Sequence, residues 1–426
     1  MTSIVGIGSI PESWPVQRAK WLMNRERRSI NSSDRVVTAF RDGTVTLRAN
    51  RRLSGFTEAL QEIGYQGIRK GDLVVHSMDG FAGAIGISDS NGKASPVVHA
   101  YTPTSQADLR YYAYLIRQMA LNGHITSLAK GIRERSTAFD SAMLANLVLP
   151  VPPLTEQRRI ADFLDAETRR IDKLLQARWR QKSLLVEHTN QRISELATGV
   201  AKYKNIYNTG SPWIPNLPEG WKLLPLKRRW TVIDCKHRTP TYLDHGIPVI
   251  SPGDIKPGRL DLSRAHRFVS ESDYRDLADD LRRPRKGDIV YSRNASVGIA
   301  AYVDTAARFT MGQDVCRITS VDQDQLFLSF VLNVVVQGEI ESLQIGSTFT
   351  RINIATLLGL GIPCPPPSEQ RNIALQMDEV SHRGDDLQRK LDRQLEVLAE
   401  RRQALITAAV TGQFDVSTAS GRGVTE

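Results

Sequence analysis

The residues of this chain that best match a chemistry of recognition are Arg293 and Asn294, followed by Ser296. They come directly after Ile289–Ser292, a short apolar run that predicts a buried strand. An arginine guanidinium can donate two parallel hydrogen bonds to O6 and N7 of guanine, and an asparagine amide can pair in the same way with N6 and N7 of adenine. A strand followed by these residue types therefore predicts a loop suited to base edges.

The first half of the chain has a similar Gly-Asp frame, a glycine and an aspartate before a predicted strand, but different residues follow that strand. Gly71-Asp72 precedes a predicted strand, as Gly287-Asp288 does in the second half, but the loop that follows begins with His76 and Ser77. The other candidates for contacts with nucleic acid are compact basic stretches, for which a solvated surface is the alternative explanation. These stretches contain Arg27 and Arg28, Arg51 and Arg52, Lys236, His237 and Arg238, and Arg283, Arg285 and Lys286.

Motifs for catalysis are absent from the sequence. There is no GxxxxGK[ST] phosphate loop, no HExxH or HxH spacing for a metal and no GxSxG elbow. The Asn-Pro-Pro-aromatic motif with which enzymes methylate an amino group of a base is also missing. Cys235 and His237 lie close together, but the sequence shows no third group to orient them. We therefore expect no catalytic residues, no metal site and no cofactor in this chain.

The composition is that of a globular protein of two or three domains, with 426 residues, 41% hydrophobic and 24% charged. The net charge is +10, of which +6 lies in residues 1–148 and +4 in residues 201–368, and a basic surface attracts phosphate polyanions. No stretch approaches the ~20 apolar residues of a membrane span, and the first residues do not resemble a signal peptide. The three cysteines form no CxxC pair. We expect a cytoplasmic protein with no membrane contact.

An internal duplication organises the chain. Residues 149–161, LPVPPLTEQRRIA, recur as residues 362–374, IPCPPPSEQRNIA, at an offset of 213. Continued without a gap, this offset gives 19 identities over 51 positions. Each half also opens with a similar [IL]-P-E-x-W run, at residues 10–14 and 217–221. The chain is therefore a domain and a long segment, each present twice, and the domains have diverged more than the long segments.

Each long segment predicts one helix of about forty residues. The proline-rich run stops the preceding element, Thr155 and Ser368 are suitable N-caps, and Gly199 and Gly412 are suitable terminators. Gly384 is expected to make the first turns of the second helix less regular. Apolar residues recur at steps of three and four, which predicts an antiparallel helix pair. In the second helix the expected seam is Leu387, Leu391, Gln394, Leu398 and Leu405.

The predicted fold class is α+β, with two mixed α/β domains separated by two long antiparallel, coiled-coil helices in an internal pseudo-twofold duplication. Short apolar runs bounded by Gly, Asp or Pro predict the strands of both domains, and residues 109–121 and 326–336 predict helices. The expected boundaries are a first domain at 1–150, a first helix at 151–200, a linker at 201–219, a second domain at 220–363, a second helix at 364–413 and a flexible tail at 414–426.

Together these features resemble the specificity subunit of Type I restriction-modification systems. The resemblance is carried by the doubled P-x-P-P-x-[TS]-E-Q-R-x-I-A run, the helix after each copy, the [IL]-P-E-x-W openings and the Thr-Gly helix ends, and it covers essentially the full chain. It implies that the two domains are target-recognition domains, each of which reads one half of a bipartite site on double-stranded DNA. It also implies that the helices hold these domains apart.

The resemblance further implies partners. Two copies of a methyltransferase subunit, which would bind S-adenosylmethionine, would dock on the helices, and a restriction endonuclease subunit would join for cleavage. This chain would then be a non-catalytic subunit of an adenine-specific DNA methyltransferase and endonuclease. The candidates for docking lie at the two helix starts and are Glu156, Gln157, Arg158, Glu369, Gln370 and Arg371.

Two alternatives remain open at this stage. A single-chain methyltransferase and nuclease is disfavoured by the missing catalytic motifs, and a methylation assay of the isolated chain would decide it. A coiled-coil adaptor that binds nucleic acid without sequence specificity would instead give salt-sensitive, sequence-independent binding.

Overall fold

The structure is a computed structural model that describes residues 2–51, 63–128, 138–294, 297–344 and 351–416. The chain forms two compact units. Unit 1 comprises Met1–Arg178 and Arg393–Glu426, and unit 2 comprises Trp179–Asp392. Since both long helices cross these boundaries, each unit contains one sheet-rich domain and a part of each helix.

The domain of unit 1 is built on an antiparallel sheet of four strands in the order β4-β11-β8-β9. The strands of the domain as a whole are β1 Thr2–Ile4, β2 Gly8–Ile10, β3 Val16–Arg18, β4 Met23–Glu26, β5 Val37–Ala39, β6 Val45–Leu47, β7 Gln66–Ile68, β8 Leu73–His76, β9 Ile85–Ile87, β10 Gly92–Ala94, β11 Val98–Pro103 and β12 Val148–Pro150. Its short helices are α1 Leu109–Leu121, α2 His124–Leu128 and α3 Ser141–Asn146. Helix α1 covers one face of the sheet, where alternate apolar residues form the core.

The domain of unit 2 has the same central order, β16-β23-β20-β21, with β18 added in parallel at the edge. Its strands are β13 Ile206–Asn208, β14 Asn216–Pro218, β15 Lys222–Pro225, β16 Thr231–Asp234, β17 Ile247–Ile250, β18 Gly258–Arg259, β19 Phe268–Val269, β20 Ile289–Ser292, β21 Ala300–Tyr302, β22 Thr310–Met311, β23 Val315–Thr319 and β24 Gly361–Cys364. Its short helices are α5 Glu271–Leu277, α6 Gln325–Phe330, which continues as a π-helix over Val331–Val335, α7 Gln337–Gln344 and α8 Ile354–Gly359.

The two domains repeat the same framework. Strand β3 pairs with β12 next to the first long helix, and β15 pairs with β24 next to the second. A hairpin opens each half, β1–β2 in unit 1 and β13–β14 in unit 2, the latter within the predicted linker. The predicted fold class is confirmed, and the predicted helix at 109–121 agrees with α1 at both ends.

The long helices are α4, Leu154–Thr198, and α9, Pro367–Val410. Each begins one residue before its predicted N-cap, so Pro153 and Pro366 precede the helices and the predicted caps at Thr155 and Ser368 are wrong by two positions. Helix α9 starts inside its proline-rich run, because proline at the first helical position, here Pro367, already has a helical φ and has no N–H to leave unpaired. Helix α4 starts with Leu154, directly after its proline-rich run.

The helix segments within each unit run antiparallel. In unit 1 the ring of Phe163 lies 5.6 Å from that of Phe414, and further along α4 Asp172 accepts a 2.8 Å hydrogen bond from Arg402 Nε. In unit 2 Lys182 forms an ion pair with Asp392. The partner numbers therefore fall, from Phe414 just beyond the end of α9 to Arg402 and Asp392 within it, as those on α4 rise, which confirms the predicted antiparallel pairing.

The seam of α9 differs from the predicted one. Its buried positions include Gly384, Leu391 and Leu395, at steps of seven and four, so Leu391 was predicted correctly, whereas Leu387 and Gln394 are exposed. The helix runs unbroken through Gly384, so the expected irregularity is wrong. A Cβ there would lie 2.9 Å from Thr189 Oγ1, which means that the glycine permits close approach of the two helices in unit 2.

Among the described residues, no single helix has the length and apolar composition needed to cross a membrane. One bent pair, Gln325–Val335 with Gln337–Leu343, passes that test together, and its residues include Phe327, Leu328 and Leu332 of the buried core of unit 2.

Candidate nucleic-acid interface

The Gly-Asp frame shared by the domains is an internal support. Asp72 Oδ2 accepts a 2.8 Å hydrogen bond from the backbone N–H of Arg69, and Asp288 Oδ2 accepts one of 2.6 Å from that of Arg285. Each aspartate is also paired with an arginine, Asp72 with Arg28 and Asp288 with Arg317. All four side chains are largely buried, so the frame fixes the start of β8 and of β20.

Arg28 is therefore not a free cation in this structure. Its hydrogen bond to Asp72 raises the pKa of the guanidinium, and Glu26 lies 3.6 Å away. The neighbouring side chains of Arg25 and Arg27 are exposed. They line a pocket of about 300 Å³ together with Arg28, Gly64, Tyr65, Gln66 and Pro96. A concave surface with this charge suits a phosphate group.

Arg293 lies at the end of β20 with its side chain only 3% exposed. Its Nη2 donates a 2.6 Å hydrogen bond to Asp234 Oδ1, and its backbone N–H donates to the carbonyl of Asp314 at 2.9 Å. Its Nε is buried without a hydrogen-bond partner among the described residues. In this state the guanidinium braces the end of β16 against β20. Direct contact with a base by Arg293 stays a prediction.

Asn294 belongs to the same braced loop. Its Nδ2 donates a 3.1 Å hydrogen bond to Asp314, whose other carboxylate oxygen pairs with Arg351 at 2.7 Å. Asp314 itself has a φ of +63°, a left-handed conformation that is held here by these two contacts. Ser296 lies outside the described residues.

Asp234, Cys235 and His237 offer ligand atoms that all lie within 4.8 Å of one another. Asp234 Oδ2 is 3.2 Å from His237 Nε2, so the orienting group that the sequence did not show is present. Burial raises the pKa of the Cys235 thiol, which disfavours the thiolate that a nucleophile or a metal would need. Asp234 is also committed to Arg293, and a neighbouring guanidinium opposes a bound cation.

Of the other predicted cations in the second domain, Lys236, Arg238 and Arg283 contact residues of α5. Lys236 and Arg238 both bind Asp276, and these hydrogen bonds lower the pKa of that carboxyl. The guanidinium of Arg283 lies 5.9 Å from the ring centre of Tyr274. Lys286 is 3.5 Å from Asp304, whereas the side chain of Arg285 is exposed. This face presents cations to the solvent while anchoring them on acidic or aromatic neighbours.

In unit 1 the predicted loop residues lie beside a buried histidine that sequence reasoning missed. His76 Nδ1 accepts a 3.1 Å hydrogen bond from the backbone of Asp79, and burial lowers the pKa of His76. Ser77 is buried, and its backbone pairs with Val97 and Phe139. On β11, His99 is 7% exposed and its Nδ1 has no hydrogen-bond partner among the described residues.

Burial, reinforced by the nearby positive charge of Arg25, lowers the pKa of His99 to about 4. Tyr101, two residues along the same strand face, is also buried, and its hydroxyl has no partner within the described ranges. Burial raises the pKa of Tyr101 to about 12. The signal in the sequence that could have revealed this buried pair is the presence of His99 and Tyr101 in a mostly apolar strand.

The side chain of Arg51 contacts an acidic and an aromatic residue. It pairs with Asp42 at 2.7 Å and lies 4.8 Å from the ring centre of Phe40. Arg52 falls outside the described residues.

At the helix starts, the predicted docking residues divide into two kinds. Arg158 and Arg371 are exposed, and Glu156 and Glu369 are half-buried, with Glu369 accepting a 2.7 Å hydrogen bond from Tyr203. Gln157 and Gln370 are completely buried within their own units. In this structure the two glutamines are therefore inaccessible to a partner.

The fold and these loops define a duplicated protein with two sheet-rich domains that carry exposed cations. The sequence model of the Type I restriction modification DNA specificity domain matches residues 44–178 and 229–397, more than half of the chain. The chain therefore belongs to this family and is a Type I restriction-modification specificity subunit. Subunits of this kind are non-catalytic, which on the ground of family membership confirms the expectation that this chain is not an enzyme.

Individual relatives agree with the family. The chain is 22% identical to the MjaX specificity subunit of Methanocaldococcus jannaschii, itself provisionally assigned, over 97% of this chain and 96% of the relative. It is 26% identical to the EcoKI specificity subunit of Escherichia coli K12 over 46% of this chain and 44% of that protein.

Solved structures share the fold. A chain from a structure concerned with complex assembly and conformational transition of the type I R-M system matches with a TM-score of 0.71 and 18% identity, over 95% of this chain and 99% of that one. The HsdS subunit of Thermoanaerobacter tengcongensis matches with a TM-score of 0.51 and 17% identity, over 95% and 98%.

Proposed function

We propose that the two domains each read one half of a bipartite DNA site and that the helices dock two copies of one methyltransferase subunit. The proposal is supported by the pattern of repetition. The domains share the Gly-Asp frame but differ in the loops that follow it, as two readers of different half-sites would. The partner subunit would bind S-adenosylmethionine, an endonuclease subunit would join for restriction, and the complex would act in the cytoplasm.

On the DNA side, we assign different roles to exposed and to internal cations. The exposed side chains at the two domain surfaces would contact phosphates, and they include Arg25, Arg27, Arg285 and Lys286. Arg28 and Arg293, which are paired internally, would position loops. Contacts to phosphates orient a protein on the duplex, while the loops that they support contact base edges.

The observation that carries the docking proposal is a repeated apolar surface on the helices. Unit 1 exposes Leu174 of α4 and Val397 of α9, and unit 2 exposes Leu387 of α9 and Leu184 of α4. Leu174 corresponds to Leu387, and Leu184 to Val397, at the duplication offset of 213. All four side chains are 44–53% exposed. The same pair of aliphatic residues occurs once in each unit, which suits two identical partners.

Sequencing of methylated DNA tests the whole proposal. DNA would be taken from cells that express this chain with the methyltransferase subunit of its own system, and from cells with either chain alone. We expect methyladenine in one split motif, only when both chains are present. Methylation by the methyltransferase subunit alone, or no split motif from a competent pair, would contradict the proposal and favour the adaptor alternative.

Aspartate substitutions test the docking surface separately. Leu174→Asp and Leu387→Asp should each reduce the number of methyltransferase subunits bound from two to one, measured by the mass of the purified complex. Val321→Asp, at a fully exposed residue of the second domain, is the matched control and should keep both. Two bound subunits in the Leu174→Asp and Leu387→Asp variants would place docking elsewhere.

A further inference from the structure

The buried glutamine at the start of α4 makes three hydrogen bonds. Gln157 Oε1 accepts from the backbone N–H of Asp108 at 2.9 Å, and its Nε2 donates to the carbonyls of Gln106 and Pro152 at 2.9 and 2.8 Å. Asp108 is the N-cap of α1, which covers the domain sheet, and Pro152 lies in the turn before α4. The side chain thus ties together the long helix, the turn before it and the domain.

Unit 2 repeats this arrangement at the equivalent residue. Gln370 Oε1 accepts from the backbone N–H of Asp324 at 2.9 Å, and its Nε2 donates to the carbonyl of Pro365 at 3.0 Å and to Gln323 Oε1 at 2.7 Å. Asp324 is the N-cap of α6, as Asp108 is of α1. The capped helix and the proline carbonyl correspond one by one, whereas the third partner is the backbone carbonyl of Gln106 in unit 1 and the side-chain oxygen of Gln323 in unit 2.

The chemistry at this position requires a neutral amide. Glutamine supplies one acceptor and two donors on a single planar group, and all three are used here. A glutamate would lose both donors and bring a charge into a fully buried site. A methionine of similar length would leave the Asp108 or Asp324 N–H and the two acceptors unpaired.

The ion pairs between domain and long helix use different arginines in the two units. In unit 1, Arg110 of α1 pairs with Asp162 and Asp165 of α4. Both pairs lie at the partly exposed edge of the joint, the junction between the domain and its long helix. In unit 2, Arg259 of β18 instead pairs with Asp378 of α9. The amide hydrogen bonds are common to both joints between domain and long helix, although the two domains differ in sequence and in the arginines that surround the joint.

We infer that Gln157 and Gln370 are positioning residues that fix the direction in which each recognition domain leaves its long helix. The inference rests on the proposed bipartite function. A domain held in one direction places its DNA-contacting loops at one distance from the other half-site, so it accepts one spacer length. A loosened joint would tolerate other lengths while the loops, and therefore both half-sites, stay unchanged.

The experiment measures tolerance of spacer length. Full-length Gln157→Met and Gln370→Met variants, each assembled with the methyltransferase subunit, would methylate a library of DNA sites that differ only in the number of base pairs between the half-sites. We expect the preference for the wild-type spacer over one that is a base pair longer or shorter to fall by about tenfold, as loss of these buried hydrogen bonds lets the domain tilt. Both half-sites should remain as in the wild type.

A matched control separates positioning from a general loss of stability. Gln337→Met replaces another glutamine whose Nε2 donates to backbone carbonyls, inside the domain of unit 2. It should keep the wild-type spacer. If Gln157→Met does not fold, Gln157→Asn keeps the amide but is too short to bridge the same groups.

The outcomes are distinct. A wild-type complex without a split motif would remove the proposed function itself. A split motif with one fixed spacer in the wild type and in folded joint variants would overturn the inference alone. An equal widening in the Gln337→Met control would also overturn it, because the effect would then follow from softening anywhere in the domain.

Discussion

The two units of this protein are alike at the joint between domain and helix and unlike at the loops beyond the sheet. The joint glutamine, the N-cap that it holds and the Gly-Asp frame recur with the same hydrogen bonds. After the frame, unit 1 continues with His76 and Ser77, and unit 2 with the Arg293–Asp234 pair.

This difference separates two demands on a duplicated chain. Residues that position a domain keep their type because both copies must meet the same geometry. Residues at the loops are free to change because each copy faces a different ligand surface. Variants at equivalent positions test whether the two copies contribute equally to the free energy of unfolding as well as sharing one geometry.

The largest effect is expected from lengthening the helices. Adding one heptad to α4 between Leu174 and Ile193, and one to the equivalent part of α9, should lengthen the unspecified spacer by about three base pairs, since seven residues rise about 10 Å. Both half-sites should be retained. Sequencing of methylated DNA measures the new motif, and replacement of a heptad without change of length is the control. An unchanged spacer would show that the helices do not set this distance.

The buried aspartates of the two Gly-Asp frames should contribute unequally to the free energy of unfolding. Asp288→Ala leaves Arg317 buried without its partner and should lower the free energy of unfolding by about 3–5 kcal/mol. Asp72→Ala should cost about 2–3 kcal/mol, because Arg28 is more exposed and keeps Glu26 nearby. Denaturant titration measures both, with Asp244→Ala at an exposed residue as control. Equal losses would mean that exposure of the arginine does not decide the cost.

Arg293→Ala distinguishes a brace from a base contact. Because its partner Asp234 is partly exposed, we expect a loss of about 2 kcal/mol in the free energy of unfolding. If Arg293 contacts a base instead, stability should change little while one base pair of one half-site becomes relaxed, by ~1–3 kcal/mol in discrimination. Unfolding and methylation measured on the same variant separate these results.

The glycines at the helix ends should be equivalent. Gly199 and Gly412 have φ values of +69° and +68°, and a Cβ at either would lie 2.8–2.9 Å from the ring of Trp221 or Trp14. Gly199→Ala and Gly412→Ala should each cost about 2 kcal/mol, from the left-handed backbone and from overpacking. Gly220→Ala, with a φ of +90° and open space around it, should cost only about 1 kcal/mol. Unequal losses at Gly199 and Gly412 would show that the two helix ends are not equivalent in their contribution to stability.

The smallest effect concerns pH. In the folded state the pKa of His99 is about 4, below its ordinary 6.5, so the unfolded chain binds more protons between these values. The free energy of unfolding should therefore fall as the pH is lowered from 6.5 towards 4, by about 1–2 kcal/mol. Unit 2 has Cys316 at the equivalent position, since Cys316 pairs with Tyr291 as His99 pairs with Val75. The substitution His99→Cys therefore copies unit 2 and should remove this part of the pH dependence. Retention of the full pH dependence would assign it to other groups.

Much of the architecture could be predicted because its signals are local or repeated. The helix at 109–121, the strands at 73–76 and 289–292, and the unbroken long segments all follow from the spacing of apolar residues and from proline and glycine at the ends. The misplaced seam at Leu387 and Gln394 has a different origin. Which of two neighbouring stripes faces inward depends on the other helix, here on the contact between Gly384 and Thr189.

The amino-acid sequence by itself determined the duplication, the two long helices, the mixed α/β domains and the family. Repeats, periodicity and motifs are properties of the chain alone. Only the tertiary structure decided which candidate side chains are free. Arg28 meets Asp72 across 44 residues, Gln157 meets Asp108 across 49, and Arg293 meets Asp234 across 59. Partners so distant in sequence are chosen by packing, since an ionic or amide group that leaves water must find whatever the fold places beside it.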